Sequence, residues 1–212
     1  MQKIQLNYKS KVLLIILYLT LSSFVISCAT AKSVSSVKSL GKNDVLLVGK
    51  VILEPQLSKD EMKTPYSLPL LTMYGKSGEI NIYFQDKLTP LNNLEVGMKE
   101  SLNSISSEFN TTFFVKMDKK PHYYLYYGYI IMGIDTDLTN DYIFHYLPLG
   151  MKININDQDK AIYIGTIKYT RDEFFRITKL EVIDEYDTVV KEYQIKYGAT
   201  LPLKKSLIQP IE

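Results

Sequence analysis

The sequence predicts a mainly β protein, a single antiparallel β-sandwich with at most one short helix. Three observations carry that expectation. Short segments rich in Val, Ile, Tyr and Phe follow one another, each bounded by Gly, Pro, Asn or Asp. The chain holds 17 tyrosines and no tryptophan, and tyrosine favours sheets and surfaces that stay partly wet. From Ile162 to Thr170 the residues alternate, with Tyr163, Gly165, Ile167 and Tyr169 on one face and Ile162, Ile164, Thr166 and Lys168 on the other.

Residues 1–27 read as an export leader. They combine a basic start (Lys3, Lys9, Lys11), an apolar run from Val12 to Leu21, and the small residue Ser27 at the end. The run falls short of the ~20 apolar residues that a spanning helix needs. Val25-Ile26-Ser27-Cys28 resembles the lipobox of bacterial lipoproteins. Val25 stands where leucine is usual, Ile26 and Ser27 fill the tolerant positions, and Cys28 fills the invariant one. The resemblance implies a diacylglyceryl group on the Cys28 thiol, cleavage before it, and N-acylation of the new terminus with palmitate or a similar chain. One acyl chain holds a bilayer only marginally, at ~0.8 kcal/mol per buried CH₂, whereas two or three make release negligible. Cys28 is the only cysteine, so its lipidation leaves no thiol for a disulfide, a zinc site or a nucleophile.

The leader carries three lysines and no acid, so its removal takes the formal charge from +2 to −1. The mature chain therefore has no basic excess to argue for nucleic acid. Residues 28–43 read as a lipidated N-terminus and flexible tether, 44–205 as the sandwich, and 206–212 as a tail.

The strands are expected in order. Val45 to Leu53 forms the first, stopped by Pro55; Glu79 to Phe84 and Thr111 to Met117 follow. Tyr123 to Ile134 is long and apolar. Tyr142 to Leu147 and Met151 to Ile155 flank Pro148-Leu149-Gly150, and Asn156 to Asp159 is a turn by composition. Phe175 to Asp184 changes face between Ile177 and Leu180, which a β-bulge near Thr178-Lys179 explains. Asp184 to Asp187 then reverses the chain into a last strand, Val189 to Tyr197, alternating Val189, Lys191, Tyr193, Ile195 and Tyr197. The helical candidate is Leu91 to Phe109, with Leu91, Leu94, Met98, Leu102, Ile105 and Phe109 at spacings of three and four.

Phe144 to Ile153 contains a Pro-x-Gly sequence leading into a strand, and Ala161 to Ile167 contains Tyr-Ile-Gly. Together they resemble the transthyretin-like or carboxypeptidase-regulatory-like modules of bacterial lipoproteins. The resemblance implies a transthyretin-like or Ig-like sandwich and an accessory or adhesive role; it transfers no catalytic residues.

Motifs with chemistry are few. Gly75-Lys76-Ser77 lacks the earlier glycine of a phosphate loop and reads as a turn. His122 and His145 sit beside aromatics in β-type segments and read as structural. Asp135, Asp137, Asn140 and Asp141 offer oxygen ligands of the kind calcium takes, without the glycine and closing glutamate of an EF-hand, and read as a solvated turn. Asn154, Asn156, Asp157 and Asp159 read likewise, and no metal site or cofactor is predicted beyond the lipid on Cys28. Within Tyr123 to Tyr129, alternation puts Tyr123, Tyr127 and Tyr129 on one face and Tyr124 and Tyr126 on the other. Tyr124 and Tyr126 are the candidate binding platform for a sugar, peptide or protein, with cross-strand packing as the competing role.

The expected function is that of a bacterial lipoprotein held to the bilayer through Cys28, a non-enzymatic envelope module for a protein or glycan partner. The alternatives are an envelope hydrolase, which an opposed acidic pair or a Ser/His cluster in a pocket would favour, and a structural envelope subunit. Ala29 stands where an aspartate commonly retains lipoproteins in the inner membrane, which points to the outer membrane in a host that has one.

Overall fold

The computed structural model describes residues 30–31, 36–62, 78–88, 104–136 and 139–211. Val25 to Cys28, Gly75 to Ser77, Asp137 and the greater part of the predicted helix lie outside them. Among the described residues the fold is mainly β, two facing sheets with one α-helix.

The strands are β1 (Thr30–Ala31), β2 (Asp44–Glu54), β3 (Glu79–Gln85), β4 (Ser104–Glu108), β5 (Thr112–Asp118), β6 (His122–Thr136), β7 (Thr139–Asn154), β8 (Ala161–Arg171), β9 (Ile177–Ile183), β10 (Lys204–Lys205) and β11 (Gln209–Pro210). The helix α1 spans Tyr186–Tyr197. Sheet I runs β1-β4-β3-β6-β7-β11, and sheet II runs β5-β2-β8, with β10 and β9 both on the outer edge of β8. Most pairings are antiparallel, as expected. The central pair of sheet II is parallel, however, with Leu46 beside Ala161 and Glu54 beside Thr170, and the short β1–β4 and β10–β8 pairs are parallel too.

The registers define two poles. Where β2 and β8 begin, β5 and β7 end and β6 begins; this end, with Asp44 opposite Asp118 and His122 opposite Asn154, is the entry pole. The far pole holds the end of β8 and the loops after β2 and β8.

The core lies between the sheets. Val45, Leu47, Val51 and Leu53 of β2 and Ile162, Ile164, Ile167 and Tyr169 of β8 meet Ile80, Ile82, Leu125, Ile130, Leu147 and Ile153 of sheet I. Each such aliphatic side chain contributes roughly 1.5–3 kcal/mol of transfer free energy when fully buried. A second core lies on the outer side of sheet II, where Leu46, Val48, Phe114, Ala161 and Tyr163 are covered by Val189 and Tyr193 of α1.

That helix replaces the strand predicted over Val189 to Tyr197. Alternation and helical spacing coincide there, and Tyr186, Val189, Val190, Tyr193 and Tyr197 form one helical stripe facing sheet II. Ile195, which alternation would bury, is 87% exposed. The turn expected at Asp184 to Asp187 is the helix entry: Asp184 accepts the Tyr186 amide at 3.1 Å, Asp187 lies in the first turn, Lys196 in the last, and Gly198 stops the helix at φ 76°.

Other differences also come from local geometry. Ser104–Glu108, within the predicted helix, is strand β4, with Ile105 buried opposite Ile82. Pro148-Leu149-Gly150 does not divide two strands; β7 runs through it, and Leu149 and Gly150 bulge against Tyr126 with Gly150 at φ 59°. The bulge expected at Thr178-Lys179 is present as an extra residue between Lys179 and Ile177. A further bulge at Gly165, φ 104°, breaks the alternation of β8, so Tyr163 and Thr166 face the helix while Ile164, Ile167 and Tyr169 face the core.

Two segments outside the predicted sandwich are bonded to it. Lys160 Nζ donates to the carbonyls of Gly41 and Lys42 at 2.8 and 2.6 Å, and Asp44 accepts the Gly41 amide at 2.6 Å. Beyond Lys205, read as a tail, the Ser206 and Ile208 amides donate to Tyr163 and Ile164 of sheet II, each at 2.9 Å. β11 and Ile211 then pair with β7 of sheet I, so this strap crosses from one sheet to the other with Ile208 in the core.

A Cβ at position 165 would lie 2.8 Å from Val182 and would force an L-residue to a positive φ. Gly165→Ala is therefore expected to cost about 2 kcal/mol or more, read as a lower urea midpoint with an unchanged m-value.

Candidate functional site

The outer face of sheet I carries the tyrosines. Residues of β3 alternate, so Ile80, Ile82 and Phe84 enter the core and Tyr83 points out. β6 does not keep its alternation. Tyr126 is an extra residue against β3, between the pairs Tyr83–Tyr127 and Phe84–Leu125. Tyr123 therefore faces the core against Phe84, with ring centroids 5.3 Å apart, whereas Tyr127 and Tyr129 lie on the outer face opposite Tyr83 and Asn81. The expected grouping of Tyr123 with Tyr127 and Tyr129 is thus corrected by one bulge.

Five rings form a continuous row. Tyr146 meets Tyr127 at 5.9 Å, Tyr127 meets Tyr83 at 5.0 Å, Tyr83 stacks on Tyr129 at 5.4 Å, and Tyr129 meets Phe144 at 5.6 Å. These separations lie in the range of favourable aromatic pairs. Tyr127 and Tyr129 are buried, Tyr83 and Phe144 half-buried, and Tyr146 is 57% exposed.

Tyr124 and Tyr126, the predicted platform, sit beside the row and touch each other at 6.3 Å. They are unequal. Tyr126 is buried and its hydroxyl donates to the Lys87 carbonyl at 2.9 Å. Tyr124 is half-buried, between His122 at 5.1 Å and the Lys152 ammonium at 5.8 Å. Tyr83, Phe144 and Tyr146 were not legible as members of a site, because only the register of β3, β6 and β7 brings them together.

The ionisable groups are mostly engaged in structure. Asp159, 2% exposed, receives Lys204 at 2.6 Å and two N–H groups of Asn156 at 3.1 Å. Burial opposes its ionisation, but these donors outweigh it and hold the carboxyl below its usual range. The Asn156 to Asp159 turn is therefore closed by a lysine, and among the described residues no three His, Cys, Asp or Glu side chains converge to hold a metal ion. The backbone of Asp135, Asn140 and Asp141 lies in the β6–β7 ladder, with Asp135 opposite Asn140 and Asp141 opposite Ile134.

At the far pole, buried Arg171 clasps the loop after β2. It donates to the carbonyls of Pro55 and Gln56 at 3.0 and 2.9 Å and forks onto both Glu61 oxygens at 2.5 and 3.0 Å. The Phe175 ring lies under its guanidinium at 4.6 Å and against His145 at 4.3 Å. Burial, and the positive Arg171 nearby, lower the pKa of His145. Beside the clasp, Glu79 and Glu108 face each other across β3 and β4 and line a cleft of about 340 Å³ with Gln56, Met62 and Asn110. The Ser106 hydroxyl donates to Glu79 at 3.0 Å.

No family model, no curated protein and no solved structure matches this chain.

The guanidinium of Arg171 holds the Glu61 carboxyl down, from 4.5 to about 2. Because folding lowers this pKa, the pair's contribution is complete above the unfolded value and disappears as pH falls from about 4.5 towards about 2. Folding stability should fall by roughly 2–3 kcal/mol across that window on account of Glu61. Glu61→Gln should remove this part of the acid dependence, as read from urea titrations at a series of pH values.

Proposed function

We propose that this chain is an exported lipoprotein, anchored in the bilayer of a bacterial envelope by acyl groups on Cys28, and that its sandwich is a non-enzymatic binding module for a protein or glycan. The observation that supports binding is the aromatic row on sheet I. Sheet II has its outer face covered by α1. Sheet I carries ring on ring on its outer side, ending in exposed Tyr146 and flanked by Tyr124. Tyrosine combines a large rigid apolar face with a polar tip, and is enriched where surfaces meet sugars and proteins. Cys28, with Val25, Ile26 and Ser27 before it, supplies the anchor, and Ala29 favours the outer membrane in a host with two membranes. The lipid is the only non-protein group the reading requires.

An envelope hydrolase is the second reading, favoured by the opposed carboxylates Glu79 and Glu108 in the far-pole cleft. Glu108 is exposed to solvent, and no further observation marks the pair as a reacting centre. The aromatic row therefore outweighs it.

Cys28→Ser is expected to abolish leader cleavage and acyl labelling; intact-mass measurement and metabolic fatty-acid labelling read both, and unchanged processing would reject the anchor. A photo-crosslinking residue at position 146 should capture an envelope protein or glycan in living cells. Tyr146→Ala should weaken that association roughly tenfold while lowering the melting temperature by only a few degrees, the loss of about one aromatic pair. Hydrolysis of envelope material that is lost in Glu79→Gln would instead establish the enzyme.

A further inference from the structure

The entry pole gathers lysines where the chain would leave for the membrane. A cleft of about 500 Å³ there is lined by Lys42, Lys119, Lys120 and Lys160, and Asp157 is the one acidic residue among the described residues on its wall. Two of the ammonium groups are positioned by carbonyls: Lys160 by Gly41 and Lys42, and Lys119 by Asp157 at 2.7 Å. A carbonyl orients an ammonium without supplying a countercharge; Lys160 also interacts with the Asp44 carboxylate. Lys42 is exposed. Lys120 stands 3.8 Å from Asp86, both about half exposed, a separation at which a surface pair contributes little. Of the other carboxylates at this pole, Asp44 is taken by Lys116 at 3.3 Å and the Gly41 amide, Asp159 by Lys204, and Asp118 lies at the rim.

The direction of β1 ties this cleft to the anchor. β1 runs parallel to β4 with Thr30 beside Ser104. Ser104 in turn pairs with Tyr83, two residues before the end of β3, and that end lies at the entry pole beside Tyr124. A chain entering β1 therefore comes from the entry pole. Cys28 precedes Thr30 by two residues, and at 3.8 Å per step their Cα atoms are at most about 8 Å apart. Acyl chains on Cys28 would thus lie on the entry-pole side of β1, the side on which this cleft opens.

We propose that the Lys42–Lys119–Lys120–Lys160 cleft seats the domain end-on against anionic lipid, taking the phosphate of a headgroup in the leaflet that holds the anchor. The inference rests on the lipid-anchor reading and adds an orientation to it. The entry pole faces the bilayer, and the far pole, with its Arg171 clasp and acidic cleft, faces away. The aromatic row then stands along the side of the domain, with Tyr146 its exposed end.

The test uses the full lipidated protein reconstituted in vesicles of phosphatidylcholine alone or mixed with phosphatidylglycerol, with an amine-acylating reagent and site-by-site mass spectrometry. Labelling of Lys42, Lys119, Lys120 and Lys160 should slow roughly fivefold on the anionic vesicles, and high salt should abolish the difference. Lys59 and Lys179, at the far pole, should label equally on both. Lys42→Gln combined with Lys120→Gln, which removes neither carbonyl-held lysine, should lower the protection of Lys119 and Lys160. Equal labelling on the two vesicle types, with the protein still bound to both, would overturn the docking and leave the anchor standing. Equal protection at Lys59 and Lys179 would overturn the orientation. Protection reproduced on phosphatidylcholine vesicles by inorganic phosphate would overturn a lipid surface as the occupant. A protein without acyl mass that sediments with neither vesicle would overturn the anchor and this inference with it.

Discussion

The structure depends on two strands that must be apolar on both faces. β2 and β8 lie side by side in the middle of sheet II, with one face against sheet I and the other beneath the helix. Val45-Leu46-Leu47-Val48 and Ala161-Ile162-Tyr163-Ile164 are accordingly buried without a break. Both strands need close approaches to fit. A Cβ on Gly49 would fall 2.6 Å from the Phe113 ring, and Gly165 supplies the bulge that turns Thr166 towards the helix. Tyr163 closes the arrangement. Its hydroxyl donates to the Ile183 carbonyl at 3.3 Å and accepts the Glu185 amide at 2.8 Å, while Thr166 donates to the Glu185 carboxylate at 2.7 Å. The junction between β9 and α1 is thus pinned from below by the strand that the helix covers.

How much of this was legible depends on how local the signal was. Strand existence was, because β-branched and aromatic runs between turn residues act over a few positions: β2, β3, β5, β6, β8 and β9 lie close to where composition places them. Side-chain facing was not, because one extra residue inverts everything beyond it. Tyr126 and Gly165 each do so, and of the two only Gly165 carries a signal, an isolated glycine within a strand. The helix was hidden because Val189, Tyr193 and Tyr197 satisfy a period of two and a spacing of four alike. The evidence against a strand lay elsewhere, in the unbroken Val45 to Val48 run, which requires a cover on each side, and in Gly198.

The candidate site was half legible for the same reason. Tyr124 and Tyr126 stand out as part of a dense cluster, but the row that runs beyond them needs Tyr83 from one neighbouring strand and Phe144 and Tyr146 from the other. Pairing register is a property of the whole sheet. The lysine cleft is similarly dispersed, drawing Lys42, Lys119 and Lys160 from three connections that converge at one pole. The Arg171 clasp draws on the loop after β2 and the end of β8. Such groupings arise because the sandwich collects its connections at two ends, so charge that is scattered along the chain becomes concentrated in space.

The parallel pairing of β2 with β8 bears on how quickly the molecule forms. Leu46 finds its neighbour in Ala161, with β3 to β7 intervening in the chain. Contacts between such distant positions must overcome a large loop-closure entropy before they return any stability, and folds built on them form slowly. The doubly buried layer cannot assemble until β8 is present.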